Sequence, residues 1–130
     1  MSPGVTGSSR STYAILGCGS VGHAVAEDLA EADNDVLILD KDADRVEALR
    51  DQDLNATVQD ISEPSVAEAV ADRDILLVLA SDIEANKAAV AAIREAGGDQ
   101  YIVVRASDPV SQDELSELGA DVVVNPSEVI

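Results

Sequence analysis

Tyr13-Ala14-Ile15-Leu16-Gly17-Cys18-Gly19-Ser20-Val21-Gly22 sets the architecture of the chain. A short apolar run leads into a Gly-x-Gly-x-x-Gly turn, and a helix-like stretch leaves it. A second apolar run, Val36-Leu37-Ile38-Leu39, is closed by Asp40, 18 residues after Gly22. The glycine spacing alone is a weak signal. With a strand before it, a helix after it and an acid ending the next strand, it is the pattern a βαβ dinucleotide site requires. Gly17 permits the tight turn, Gly19 lets backbone approach a pyrophosphate, and Gly22 lets the helix pack close to the sheet. Because the helix starts at the motif, its free N–H groups and dipole favour a phosphate at that spot.

At 130 residues the chain is one domain with enough length to bury a core. Hydrophobic residues make up 46% but aromatics only 2%, without Phe or Trp, so the core is expected to be Val, Ile, Leu and Ala. Such a core suits tight sheet–helix packing and offers little for stacking bases or sugars. Twenty-six acids against eight Lys and Arg give a net charge of −18. The acids spread over every expected helix face and turn instead of forming a tail. That distribution reads as adaptation to a salt-saturated cytoplasm, where screening removes the self-repulsion, and it points to a halophilic source. Without a basic stripe, nucleic acid is not an expected partner. The single Cys18 excludes an internal disulfide and suits a reducing interior. No signal core or run of membrane-spanning length is present, so a soluble, cytoplasmic chain is expected. Residues 1–11 read as a flexible leader outside the fold, and Asn55-Ala56-Thr57 as a chance sequon.

Apolar strands alternate with Ala/Glu-rich helices along the rest of the chain. Strands are predicted at 12–16, 35–39, 56–59, 75–80, 101–105 and 121–124, and helices at 20–32, 42–52, 63–71, 83–96 and 111–118. In the first helix Val21, Val25 and Leu29 recur at four-residue spacing and are expected to face the core. Asp42 and Ser111 are expected N-caps, and Gly97-Gly98 a helix end. Ile75–Leu79 and Ile102–Val104 are continuously apolar, as in central strands of a parallel sheet. The predicted fold is α/β, a Rossmann-like doubly wound parallel six-stranded sheet in the order 3-2-1-4-5-6. The last residues carry no helix after the sixth strand, so 12–130 is expected to be the N-terminal part of a longer protein.

Ligands of such a sheet lie at the carboxyl ends of strands one and four. Asp40 ends strand two, where its carboxylate can accept both ribose hydroxyls of an adenosine; the alternative is a helix cap. It is expected to repel a 2′-phosphate and so prefer NAD or an adenine nucleotide to NADP, an exclusion Lys41 weakens slightly. Asp60, with Ile61 beside it, ends strand three and is either an adenine or ribose contact or a solvated turn residue. Ala80-Ser81-Asp82 ends strand four beside the phosphates, with Ser81 a phosphate donor or, the safer reading, a helix cap. Arg105 ends strand five and either offsets phosphate charge or pairs with Asp108, the ion pair being slightly favoured. Cys18 is expected to pack between its glycines, and His23 to have a neutral surface or packing role. One His and one Cys make a transition-metal site unexpected, and no acid/base pair or nucleophile constellation stands out.

From Gly17 to Pro126 the chain resembles the RCK/KTN (TrkA-N) nucleotide-binding domain family. The residues that carry the resemblance are Gly17–Gly22, Asp40 with Asp42, Asp60, Ser81-Asp82 followed by Asn86, Arg105, and the ending Leu118-Gly119-Ala120-Asp121-Val122-Val123-Val124-Asn125-Pro126. The resemblance implies a domain that binds NAD(H), ATP, ADP or AMP at Gly17–Gly22, Asp40, Lys41, Asp60, Ile61, Ala80–Asp82 and Arg105. It also implies a homodimer or higher homo-oligomer that passes ligand state to a fused C-terminal module or a membrane cation transporter, as in potassium transport. Ser20 stands where many transporter-linked members carry a phosphate-binding Arg, which points away from a triphosphate and toward NAD or AMP. Gln59 replaces the usual Gly before Asp60. Similar haloarchaeal proteins join this domain to a DHH-type phosphoesterase. Regulation of such an enzyme, the cofactor half of an NAD-dependent oxidoreductase, and a dimerising module without ligand are the competing expectations.

Overall fold

The computed structural model describes residues 11–125. Five helices and six strands alternate: β1 Thr12–Leu16, α1 Ser20–Glu31, β2 Asp35–Asp40, α2 Ala43–Asp51, β3 Asn55–Val58, α3 Val66–Ala69, β4 Ile75–Val78, α4 Ile83–Glu95, β5 Tyr101–Arg105, α5 Pro109–Leu118 and β6 Val122–Val124. All strands pair in parallel, in the order β3-β2-β1-β4-β5-β6, as the alternation of elements predicts. The leader expected at 1–11 falls on undescribed residues except Ser11, whose carbonyl accepts the Asp35 N–H. Pro126 of the resemblance lies outside the described residues too.

Strand side chains alternate between the two faces, and each face has its own core. Ile15 and Ile38 meet Ala26 of α1 and Val46 and Leu49 of α2. Ala14, Leu16, Leu76, Val78, Ile102 and Val104 meet Val66, Val90, Ile93 and Leu115 from α3, α4 and α5. Both cores are aliphatic, as the composition demands.

Four local expectations are corrected. Val21 is 45% exposed, because α1 turns Gly22 and Ala26 to the sheet with Val25 and Leu29 only partly buried beside them. The third helix shrinks from the predicted 63–71 to four residues. Its lead-in winds through short-span turns, Glu63 N–H to Asp60 O and Ala67 N–H to Pro64 O, where Pro64 has no N–H to start a longer ladder. Helix α5 starts at Pro109, and Asp108 is its cap, accepting the Ser111 N–H at 2.9 Å; Ser111 itself is buried inside the first turn. Ser81 does not cap α4; Asp82 does, accepting from Glu84 N and Ala85 N. Asp42 caps α2 as expected, and α4 ends at Gly97, φ +86°, with the Gly98 N–H on the Ile93 carbonyl.

Candidate functional site

The strand order reverses between β1 and β4, and both strand ends are tied to the glycine turn. Gly17 N–H donates to Leu39 O at 2.8 Å, and Leu79 N–H donates to Leu16 O at 2.9 Å. Gly17 has φ +87°, and a Cβ there would stand 2.6 Å from the Cβ of Ala80. Glycine is required at this position both by its dihedral and by the passing chain. At Gly22 a Cβ would meet Gly17 O at 3.2 Å, so the helix does press on the turn. Gly19 differs: nothing lies within 4 Å of its Cβ position. Its face is open.

That open face borders a cavity of about 270 Å³. Gly17, Cys18, Gly19, Asp40, Lys41, Asp60, Ile61, Ala80, Ser81, Asp82 and Arg105 line it, all read as candidates from sequence. Three other candidates do not: Ser20 faces a neighbouring recess, Val21 is exposed on α1, and Gly22 is buried beneath the turn.

Asp40 is 4% exposed and fully engaged. Its Oδ1 accepts the Asp42 N–H at 2.8 Å, and its Oδ2 accepts the Cys18 N–H at 2.8 Å and Arg45 Nη1 at 3.1 Å. One carboxylate therefore joins the glycine turn, the loop after β2 and the first turn of α2. It is no helix cap, since Asp42 fills that role. Arg45 is the residue sequence reasoning missed. A cation three residues past the Asp42 cap was the available signal, because such a side chain starts beside the end of the preceding strand.

The cations are unevenly used. Lys41, Arg45 and Arg105, three of the eight Lys and Arg, line this one cavity. The other described ones hold structure: Arg50 donates to Ala56 O, Arg73 to Tyr13 O and Asp35, Lys87 to Glu84 and Glu114, and Arg94 to Gly98 O, Gly119 O and Asp121. The expected pair between Arg105 and Asp108 does not form. Arg105 reaches the Leu79 carbonyl at 3.5 Å, while Asp108 is turned to its capping bonds. Asn86, almost fully buried, donates from one amide nitrogen to Ala80 O at 2.9 Å and Arg105 O at 3.2 Å. It clips together the two strand ends that carry Ser81 and Arg105.

Asp60 takes the turn option in its own structure, accepting both N–H and Oγ of Ser62 at 2.9 and 2.6 Å. The Ser62 hydroxyl first, then its N–H, with Lys41 adding attraction, hold the Asp60 carboxyl below its usual range. Its carboxylate still borders the cavity. His23 stands 2.6 Å from Gln52 Oε1, on the surface side of the turn. Cys18 is packed as expected. Burial first, then the charge of Asp40, push its thiol from 9.0 up to about 11, with Arg45 opposing. A thiol raised that far carries much less thiolate near neutral pH than an unfolded one. Because the thiol is both buried and raised, native protein should react with a disulfide reagent at least about tenfold more slowly than urea-unfolded protein, measured by release of the coloured thiolate.

A six-stranded parallel sheet, a glycine turn at its switch point and an acid ending its second strand define a Rossmann-like α/β domain. The chain belongs to the TrkA-N domain family, which it matches over residues 13–126. It is 42% identical over 78 residues to the Trk system potassium uptake protein TrkA of Vibrio alginolyticus, covering 58% of this chain and 17% of that protein. To the Ktr system potassium uptake protein C of Bacillus subtilis it is 25% identical over 120 residues, 90% of this chain and 54% of the relative. The chain thus spans about half or less of these relatives' lengths. Among solved structures it resembles the NAD(P)-binding domain of an exopolyphosphatase-related protein from Archaeoglobus fulgidus, with a TM-score of 0.84 and 29% identity over 92% of this chain and 90% of that one. Among the described residues no helix is long and apolar enough to cross a membrane.

Proposed function

We propose that this domain is a cytoplasmic ligand sensor that binds NAD(H) or an adenine nucleotide in the cavity between the glycine turn and the ends of β2–β5. The observation that carries this is the gathering of three of eight cations around a glycine turn in a chain of net charge −18. Phosphates would lie on Gly17–Gly22 and near Ser81 and Arg105, and the ribose near Asp40. In relatives of the Trk and Ktr type the domain is part of a potassium uptake system, and the same output is proposed here, through a homodimer in a salt-rich cell. Regulation then needs a ligand that favours one of two dimer arrangements, since one binding both equally shifts nothing. The likeness to a domain of an exopolyphosphatase-related protein supports a second output, control of a fused phosphoesterase.

Calorimetry in molar KCl with NAD, NADH, AMP, ADP and ATP tests the ligand class. Binding of none of them would defeat the proposal. The sharper variant is Gly19→Val. Its side chain enters open space where the pyrophosphate would pass, so affinity should drop by at least about a hundredfold. Melting temperature and dimerisation should stay near wild type, which separates a sensor from a module that only dimerises.

A further inference from the structure

The ribose end of the cavity is built differently from what the acid at Asp40 suggests. A carboxylate has about four lone-pair sites, and three on Asp40 are filled from within the domain by Cys18 N, Asp42 N and Arg45 Nη1. The Arg45 guanidinium, 3.1 Å from Asp40 Oδ2, neutralises the charge that would repel a phosphate on the ribose. Arg45 is also half-exposed and spends only Nη1 on this pair; Nη2 and Nε have no partner among the described residues. It forms the wall between the main cavity and a recess of about 200 Å³ that continues past Gly19 to Ser20, His23 and Gln52. Lys41, exposed on the neighbouring turn, adds a second cation to the same rim.

Resting on the proposed adenosine site, we infer that Arg45 and Lys41 form a subsite for a phosphate on the ribose 2′-oxygen, so the domain takes NADP(H) at least as well as NAD(H). Arg45 reaches the phosphate with its free edge while keeping Asp40 on Nη1, and the Ser20 hydroxyl is the next donor in the recess. The planar fork suits a phosphate, and each charge-assisted bond made there is absent for an unphosphorylated ribose. Asp40 remains the brace that aims Arg45.

Two probe pairs separate the subsite from general anion binding: NADP against NAD, and adenosine 2′,5′-bisphosphate against its 3′,5′ isomer. The expected result is NADP binding as tightly as NAD or tighter, with the 2′ isomer about tenfold tighter than the 3′ isomer. Arg45→Gln should lower the ratio of NADP to NAD affinity by about tenfold, and Lys41→Gln, at an exposed position, by about threefold. Melting curves check that Arg45→Gln folds; if it does not, Lys41→Gln and the isomer pair still decide. NAD binding more than about tenfold tighter than NADP, or variants that leave the ratio unmoved, would overturn the subsite alone. Binding of no nucleotide at all would overturn the sensor proposal with it.

Discussion

Gly17→Val should cost about 3–5 kcal/mol, enough to leave much of the chain unfolded in dilute buffer. Two effects add at this residue. A β-branched side chain at φ +87° sits in backbone space it rarely visits, worth about 1–2 kcal/mol. Its Cβ would also stand 2.6–2.8 Å from the Cβ, Cα and N of Ala80. These are backbone atoms or atoms fixed to backbone, so relief requires the ends of β1 and β4 to separate. Leu79 N–H on Leu16 O ties those two ends to each other, and the Asn86 clip fixes the β4 end to that of β5, so the strain has no soft outlet. Urea titration followed by circular dichroism reads the effect, with Gly19→Val as the companion that should keep the wild-type midpoint. A Gly17→Val midpoint equal to wild type would show that the turn is not held as described. The contrast matters because both glycines belong to one motif. One is required by the fold and the other by whatever approaches the turn.

The same motif shows what sequence can and cannot tell. Strand order and the place of the cavity follow from long-range patterns: apolar runs every two dozen or so residues, a glycine turn after the first, an acid after the second. Those survive any local ambiguity. The misses are local. Ser81 and Asp82 are adjacent acceptors at the head of α4, as Asp108 and Ser111 are near the head of α5, and periodicity does not choose between them. In each case the aspartate wins, because its ionised oxygen makes the stronger bond to free N–H groups at a positive helix end. The rotation of α1 that exposes Val21 goes with Gly22, which packs against the turn so closely that a Cβ there would stand 3.2 Å from Gly17 O. Arg45 could not be paired with Asp40 from spacing alone. Its role depends on α2 starting immediately after β2 with Asp42 as cap, which turns the third helical residue back over the strand end.

Asp40→Ala should destabilise the domain by about 2–4 kcal/mol and remove nucleotide binding together. Most of the stability term comes from the Cys18 N–H, which is buried and would lose its acceptor, with the part-buried Asp42 N–H adding less. The pair with Arg45 contributes little, because that guanidinium is 48% exposed and water replaces the partner. Asp40→Asn tests whether charge or shape does the work. One amide oxygen can accept from Cys18 or from Asp42 but cannot serve both sides, and the amide nitrogen then faces a donor. An intermediate loss of about 1–2 kcal/mol is expected. In an Asp40→Asn variant whose circular dichroism shows it folded, the Cys18 thiol supplies a second readout. Its burial persists while the raising charge of Asp40 is gone and the lowering charge of Arg45 stays, so its titration should move down from about 11. The wild-type thiol titrates higher folded than unfolded, so its contribution is complete below 9.0 and is lost as pH rises toward about 11. Asp40→Asn should narrow that alkaline window from above. If ultraviolet thiolate absorbance against pH is the same in Asp40→Asn and wild type, the Asp40 side chain does not act on the Cys18 turn, and its place at the centre of the site falls with it.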